Sequence, residues 1–230
     1  MKILLYNSIR GLKTFFWESG DLHTQFGIVK EEDLKKDTNK VKSHAGKEFI
    51  IYPANFSNQI KQIKRGPQTL LTKDLAYIQF YIEKDSIVAE AGSGTGLLAA
   101  IIAQKAKKVY SYDLNESHSR LAQKNIDYLN IKNIELINKD IYEGIDQEVD
   151  TLILDLPEPW KVPLDNIKNG ATIIAYLPTI TQVMEFHKCN LHIEKTIELL
   201  EREWYVQGRR VRPKSQMEGH TAFLIIARKI

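Results

Sequence analysis

The 230-residue chain carries a net charge of +3, with 43% hydrophobic and 27% charged residues. That is an ordinary globular composition, enough for one full α/β domain and a small extra module. No apolar run reaches the roughly 18 residues that span a bilayer, MKILLYNSIRGLK lacks the features of a signal peptide, and the single Cys189 rules out an internal disulfide. No Cys/His cluster suggests a metal, so the expectation is a cytoplasmic protein with no membrane or metal partner.

Residues 1–62 read as a small β-rich domain. Short stretches such as ILLYN, TFFWE, FGIVK and FIIYP alternate and are separated by Gly, Asn, Asp and Lys-rich turns. A linker is expected near KQIKRGPQ, where basic residues precede Gly66 and Pro67. Residues 63–230 change period. In DLAYIQFYI the residues Leu75, Ile78 and Ile82 fall on one helical stripe. Strand IVAEA then leads into helix GLLAAIIAQKA, and strand KVYSYD into helix ESHSRLAQKNIDYLN. Strands IELINKD, TLILDLP and ATIIAYLP follow, then helix TITQVMEFHKC. Last, IEKTIELLEREWYV and TAFLIIARK read as two long strands joined by a basic loop. Such alternation builds a parallel, Rossmann-like sheet with helical crossovers.

Ligands bind an open parallel sheet at the carboxyl ends of its strands. The first strand ends in EAGSGTG, residues 90–96, where Glu90 precedes Gly92, Gly94 and Gly96. Glycines there let the backbone turn tightly against a ligand. The E-x-G-x-G-x-G spacing differs from the G-x-G-x-x-G of nicotinamide enzymes and points to S-adenosylmethionine, hence methyl transfer; a tight turn that binds nothing is the plainer alternative. Asp113, at the tip of the second strand, is placed to accept from ribose hydroxyls. Asp140, Asp155, and Tyr176 with Pro178 end the next three strands. Each aspartate alone is equally a turn or cap residue, but three beside a glycine turn make a site.

Asp155 stands out because LILDLPEPW follows a buried-type strand with two prolines and a tryptophan. Pro157 and Pro159 stiffen the chain, predicting a rigid, non-helical loop. Trp160 offers a flat apolar face, suited to a nucleobase if it is not a core residue. Lysines crowd 35–47 and 61–65, and arginines crowd 209–212; with a pI near 8.7 these runs permit nucleic-acid contact without requiring it.

Nearly the whole chain resembles the tRNA (adenine-N1)-methyltransferases of bacterial and archaeal type, which make 1-methyladenosine in the T-loop at position 58 and in some archaea also at 57. The likeness runs through GDLHTQFGIV (20–29), KDLAYI (73–78), EAGSGTGLL (90–98), DLPEPW (155–160), YLPTITQV (176–183) and the ending EREWYVQGRRVRPKSQMEGHTAFLIIARK (201–229). EAGSGTG is generic to methyltransferases; DLPEPW together with the GHTAFL…ARK ending is far more specific. The resemblance implies a class I S-adenosylmethionine-dependent methyltransferase fold, a tRNA partner and a homotetramer. It further implies that Thr95, Gly96, Leu97 and Leu98 line the methionine end of the cofactor and that Asp113 holds its ribose. His118 would approach the cofactor, Asp140 would contact its adenine, and Asp155 would stand between cofactor and target base. One departure is Leu71-Thr72, where relatives often carry Tyr or His followed by Pro; Tyr176 or Trp160 is expected to supply the missing aromatic face. Trp160, Tyr176, Arg209, Arg210, Arg212 and His220 are therefore the expected substrate contacts. Two rivals share the fold or the family: a non-catalytic tRNA-binding subunit, and a protein isoaspartyl carboxyl methyltransferase.

Overall fold

A computed structural model describes residues 1–9, 11–66 and 69–230. Pro67 and Gln68, part of the anticipated linker, lie outside the described residues. The chain divides into two compact units, Met1–Ile63 and Lys64–Ile230.

In the first unit the strands are β1 (Lys2–Ser8), β2 (Gly11–Trp17), β3 (Leu22–Thr24) and β4 (Gly27–Val29), then a short helix α1 (Glu31–Lys35). β5 (Lys40–Lys42), β6 (Glu48–Pro53) and helix α2 (Phe56–Gln59) complete it. Four strands form an antiparallel sheet in the order β2-β1-β6-β5, and β3–β4 is a separate hairpin. The period of two decides which side chains enter the core. In β6, Phe49 and Ile51 are buried while Ile50 and Tyr52 face out. Phe49 and Ile51 pack with Leu4, Trp17, Val29 and Leu34.

The second unit opens on helix α3 (Thr72–Phe80), whose stripe buries Leu75 and Ile78, with Ile82 just beyond it. β7 (Ile87–Ala91), α4 (Leu97–Ile102), β8 (Lys108–Tyr112), α5 (Glu116–Tyr128), β9 (Ile134–Ile137) and β10 (Val149–Leu154) follow. β11 (Ile167–Leu177), α6 (Ile180–Phe186), β12 (Leu191–Glu198), β13 (Trp204–Gln207), β14 (Arg210–Pro213) and β15 (Phe223–Lys229) end the chain. Seven strands form one sheet in the order β12-β15-β11-β10-β7-β8-β9. β7 to β11 pair in parallel, and β15 runs antiparallel to both its neighbours. Both faces are covered, as a parallel sheet requires: Ala89, Leu152 and Ile173 enter one core, while Val88, Ile153 and Ile174 enter another.

The expected pair of long closing strands is corrected. The sheet strand β12 stops at Glu198, and β13–β14 form a hairpin of their own. The register gives the reason: Glu198 lies opposite Phe223, the first residue of β15. Residues beyond Glu198 therefore have no strand alongside to bond.

Candidate active site

The turn after β7 is built from three glycines with left-handed φ: Gly92 at +95°, Gly94 at +49° and Gly96 at +76°. Gly92 is also sterically required, since a Cβ there would stand 2.6 Å from the backbone oxygen of Asp155. The Gly92 and Ser93 amides donate to the Tyr112 carbonyl, and the Gly94 amide donates to Asp113 Oδ2 at 3.1 Å. Two hollows lined by described residues lie around this turn. The larger, about 280 Å³, is lined by Gly92, Asp113, Leu114, Asp140, Tyr142 and Leu156, among others. A smaller one, about 20 Å³, is lined by Leu70, Gly92, Thr95, Leu97, Leu98 and Asp155. Gly92 borders both.

The acids at the strand tips differ sharply in environment. Asp113 Oδ1 accepts from the Asn115 amide at 2.8 Å, and Oδ2 faces His118 Nδ1 at 3.2 Å. A carboxylate has four acceptor sites, so Asp113 retains capacity for a ligand in the larger cavity. His118 touches Asp113 and Asn115 and lines neither hollow. Asp140 caps a single 3₁₀ turn by accepting from the Tyr142 amide at 2.9 Å while bordering the cavity. Asp155 is different: no side-chain hydrogen bond is found for it among the described residues, and burial pushes its pKa up to about 6. Glu90 lies beneath the turn, fully buried, and burial pushes its pKa up to about 8. The Ser111 hydroxyl donates to Glu90 Oε1 and pairs with Ser93 Oγ at 2.5 Å, so a buried chain of three side chains supports the glycine turn from below.

Three bonds clamp the loop after Asp155. The Asp155 amide donates to the Ala91 carbonyl at 3.1 Å, Gln182 Nε2 donates to the Pro157 carbonyl at 2.9 Å, and the Glu158 amide donates to the Tyr142 hydroxyl at 3.3 Å. Pro159 begins a one-turn 3₁₀ helix, Pro159–Lys161, where proline's fixed φ fits and its missing donor is not needed. This short turn replaces part of the expected irregular loop. Trp160, within it, packs against the core and lines neither hollow.

Tyr176 is buried at the end of β11. Its pKa is pushed up to about 12, first by burial, with the carboxylates of Asp74 and Asp155 adding to the rise. Beneath it is a cluster that sequence reasoning did not assemble. Asp74, fully buried, accepts from Lys73 Nζ at 2.8 Å and from Thr221 Oγ1 at 3.1 Å, and the Tyr176 hydroxyl stands 3.5 Å away. KD and HT were visible as fragments of motifs, but their 147-residue separation hid the contact. Ser93 and Ser111, in the prop under the turn, were likewise missed, as were Tyr142 and Leu70 in the walls. Arg209, Arg210 and Arg212 are exposed on or beside the β13–β14 hairpin, with Arg210 over the Tyr205 ring at 5.9 Å. His220 is held between Glu198 Oε1, at 2.5 Å, and the Pro178 carbonyl, at 2.8 Å; its hydrogen bond to Glu198 raises its pKa.

The chain is 30% identical to a tRNA (adenine(57)-N(1)/adenine(58)-N(1))-methyltransferase, TrmI, of Methanocaldococcus jannaschii, over 89% of this chain and 86% of that protein. Among solved structures, the tRNA (m1A58) methyltransferase TrmI of Aquifex aeolicus superposes with a TM-score of 0.80 at 26% identity, covering 99% of this chain and 96% of that one. A SAM-dependent O-methyltransferase of Thermotoga maritima superposes with a TM-score of 0.83 at 28% identity, covering 100% and 92%. The fold is that of a class I S-adenosylmethionine-dependent methyltransferase. With the family model for the tRNA methyltransferase complex GCD14 subunit matching residues 59–212, the chain belongs to that tRNA methyltransferase family.

Proposed function

We propose that this protein transfers a methyl group from S-adenosylmethionine to N1 of adenine in the T-loop of tRNA, at position 58, with position 57 a second target as the name of the Methanocaldococcus relative indicates. The observation that carries this reading is Asp155: a buried carboxylate, free of side-chain partners, on a clamped loop against the glycine turn.

The residues present suit S-adenosylmethionine. Thr95 leaves a buried hydroxyl without a partner in the wall of the smaller hollow. Gly94 has a left-handed φ of +49° that favours glycine, and it lines the smaller hollow. Thr95, Gly96, Leu97 and Leu98 would hold the methionine end, Asp113 backed by His118 the ribose hydroxyls, and Asp140 the adenine amino group. Glu90 would act from below by keeping the turn in shape. When bound, the cofactor supplies a methyl group on a positively charged sulfur, open to displacement by an in-line nucleophile.

Adenine N1 brings its own lone pair, so no strong base is needed before transfer. Most of the rate then comes from holding N1 in line within a dry pocket. Asp155 would accept a hydrogen bond from the N6 amino group, which fixes the ring and favours the positive charge that develops on it. It would then take the proton that the methylated base sheds. A pKa of about 6 suits both tasks, leaving the group ionised at neutral pH yet basic enough to receive a proton. Tyr176 would flank the base beside Asp155, with Trp160 bracing the loop. A homotetrameric, cytoplasmic enzyme is the form that the sequence resemblance supports; among the described residues no helix is long and apolar enough to cross a membrane.

Nucleoside mapping of unmodified tRNA treated with protein and labelled cofactor tests the reading. Label in 1-methyladenosine at 57 or 58 is expected; label only in a ribose or another hydroxyl would favour the O-methyltransferase relative's chemistry instead. The exposed arginines would bind tRNA phosphates, whereas His220, expected as a substrate contact, has both ring nitrogens engaged by Glu198 and the Pro178 carbonyl and serves to tie those segments together. Replacing Arg209, Arg210 and Arg212 together by Ala is expected to raise the tRNA KM about tenfold, leave kcat unchanged and flatten the loss of binding with salt. Unchanged KM and salt slope would remove the hairpin from the tRNA interface.

A further inference from the structure

The described parts of three strand-to-strand turns border an open hollow of about 380 Å³ in the first unit that methyl transfer does not use. The β1–β2 turn brings Ile9, the β3–β4 turn brings Gln25 and Phe26, and the segment between β5 and β6 brings Lys47. Ser8 and Tyr6 of β1, with Lys13 directly opposite Tyr6 on β2, complete the lining.

This end of the unit is built rather than loose. The Tyr6 ring lies 4.1 Å from the Phe26 ring and 5.2 Å from Phe49 of the core, centroid to centroid. Ser43 Oγ donates to the Phe26 carbonyl at 2.8 Å, the His44 amide donates to the Ile28 carbonyl at 2.9 Å, and the Ile28 amide donates to His44 Nδ1 at 2.8 Å. The third turn is thereby tied to the β3–β4 hairpin. Around the packed rings Ile9, Lys13, Gln25 and Lys47 are exposed, Ile9 entirely so. No carboxylate is in the lining, and among the described residues neither Lys13 nor Lys47 has an acidic partner.

Flat apolar faces beside two uncompensated cations suit a ligand that is planar at one end and anionic at the other. We propose that this hollow seats one unpaired nucleotide of the RNA substrate. Its base rests on the Tyr6–Phe26 faces under Ile9, the Gln25 amide meets the base edge, and the phosphate lies at Lys13 and Lys47. Stacking of this kind accepts any base, because each has a π-face, while the lysines supply a salt-sensitive hold on the backbone. The inference rests on the tRNA substrate proposed above and adds a second, non-catalytic contact to it.

Steady-state methylation of tRNA by the full-length protein provides the test. Tyr6→Leu, which keeps bulk but loses the flat face, is expected to raise the tRNA KM about tenfold. The Lys13→Glu/Lys47→Glu double variant is expected to raise it at least as much, with kcat and the cofactor KM within about twofold of the parent in both. Tyr6→Phe should behave as the parent. A tRNA KM within about threefold of the parent in both variants overturns the proposal, and so does a shift in the lysine variant alone, which would mean diffuse charge without a seat. A change of native mass with unchanged tRNA KM would identify a protein contact and likewise overturn it. If Tyr6→Leu melts at a lower temperature, ultraviolet cross-linking of the unaltered protein to tRNA decides: adducts on peptides holding Tyr6 or Phe26 are expected, and their absence sinks the idea. Absence of any tRNA methylation by the unaltered protein would instead overturn the proposed substrate, so the two failures are distinct.

Discussion

Replacing Asp155 by Asn is expected to lower turnover on tRNA by about 10²–10⁴-fold, the usual loss for a positioned proton acceptor. The amide keeps the shape and can still touch the base, but it cannot take the proton from N6. Loss of folding is not the expected cause. Burial raises the Asp155 pKa to about 6 from 3.8, so ionising it is harder in the folded chain than in the unfolded one. That penalty appears as pH rises through this window and amounts to about 3 kcal/mol at most. Asn removes it, and the variant should therefore melt no lower than the parent at pH 7. The same shift sets the acid limb of the unaltered enzyme. As pH falls through about 6, Asp155 takes up a proton and kcat/KM should decline tenfold per pH unit. Turnover by the Asn variant near the parent's level, or an acid limb centred near pH 4, would show that Asp155 is not the proton acceptor.

Gly92→Ala is expected to weaken cofactor binding at least tenfold and to lower stability by about 2–4 kcal/mol. Two effects combine. The φ of +95° is strained for any residue with a Cβ, and the new methyl would lie 2.6 Å from the Asp155 carbonyl oxygen. Relief requires moving either the glycine turn or the loop carrying the acid, so turnover should fall with affinity. Gly208→Ala supplies the comparison: its φ is +55°, nothing lies within 4 Å, and it should leave cofactor affinity unchanged. Calorimetric titration with S-adenosylmethionine reads the difference. Equal affinities for the two variants would mean that the close approach of turn and loop is not needed for the pocket.

Much of this site was legible because its signals are local. Leu75, Ile78 and Ile82 show a helical stripe within eight residues, and all three are buried. The strand-tip acids followed from alternation of strands and helices alone, and Asp113 and Asp140 do border one cavity with Gly92. What could not be read depends on distant partners. Nothing in IEKTIELLEREWYV marks a break after Glu198, since no Gly or Pro stands there; the strand ends because β15 starts at Phe223. Nothing in KDLAYI singles out Asp74. Its burial under Tyr176, with Lys73 and Thr221 as partners, is a tertiary fact. Trp160 was expected as a substrate contact, and only the fold shows it packed against the core.

The position of β15 has a consequence for how the chain matures. β15 follows β11 and β12 in the chain yet lies between them, one strand in from the edge of the sheet. Until it arrives, β12 has nothing to pair with and Asp74 lacks the Thr221 hydroxyl just ahead of it. A ribosome-bound chain that has not yet delivered β15 thus exposes a bare β11 margin, an unpaired β12 and an unfinished floor under Tyr176. Arrival of β15 and of Thr221 before it is the step that completes the floor beneath Tyr176.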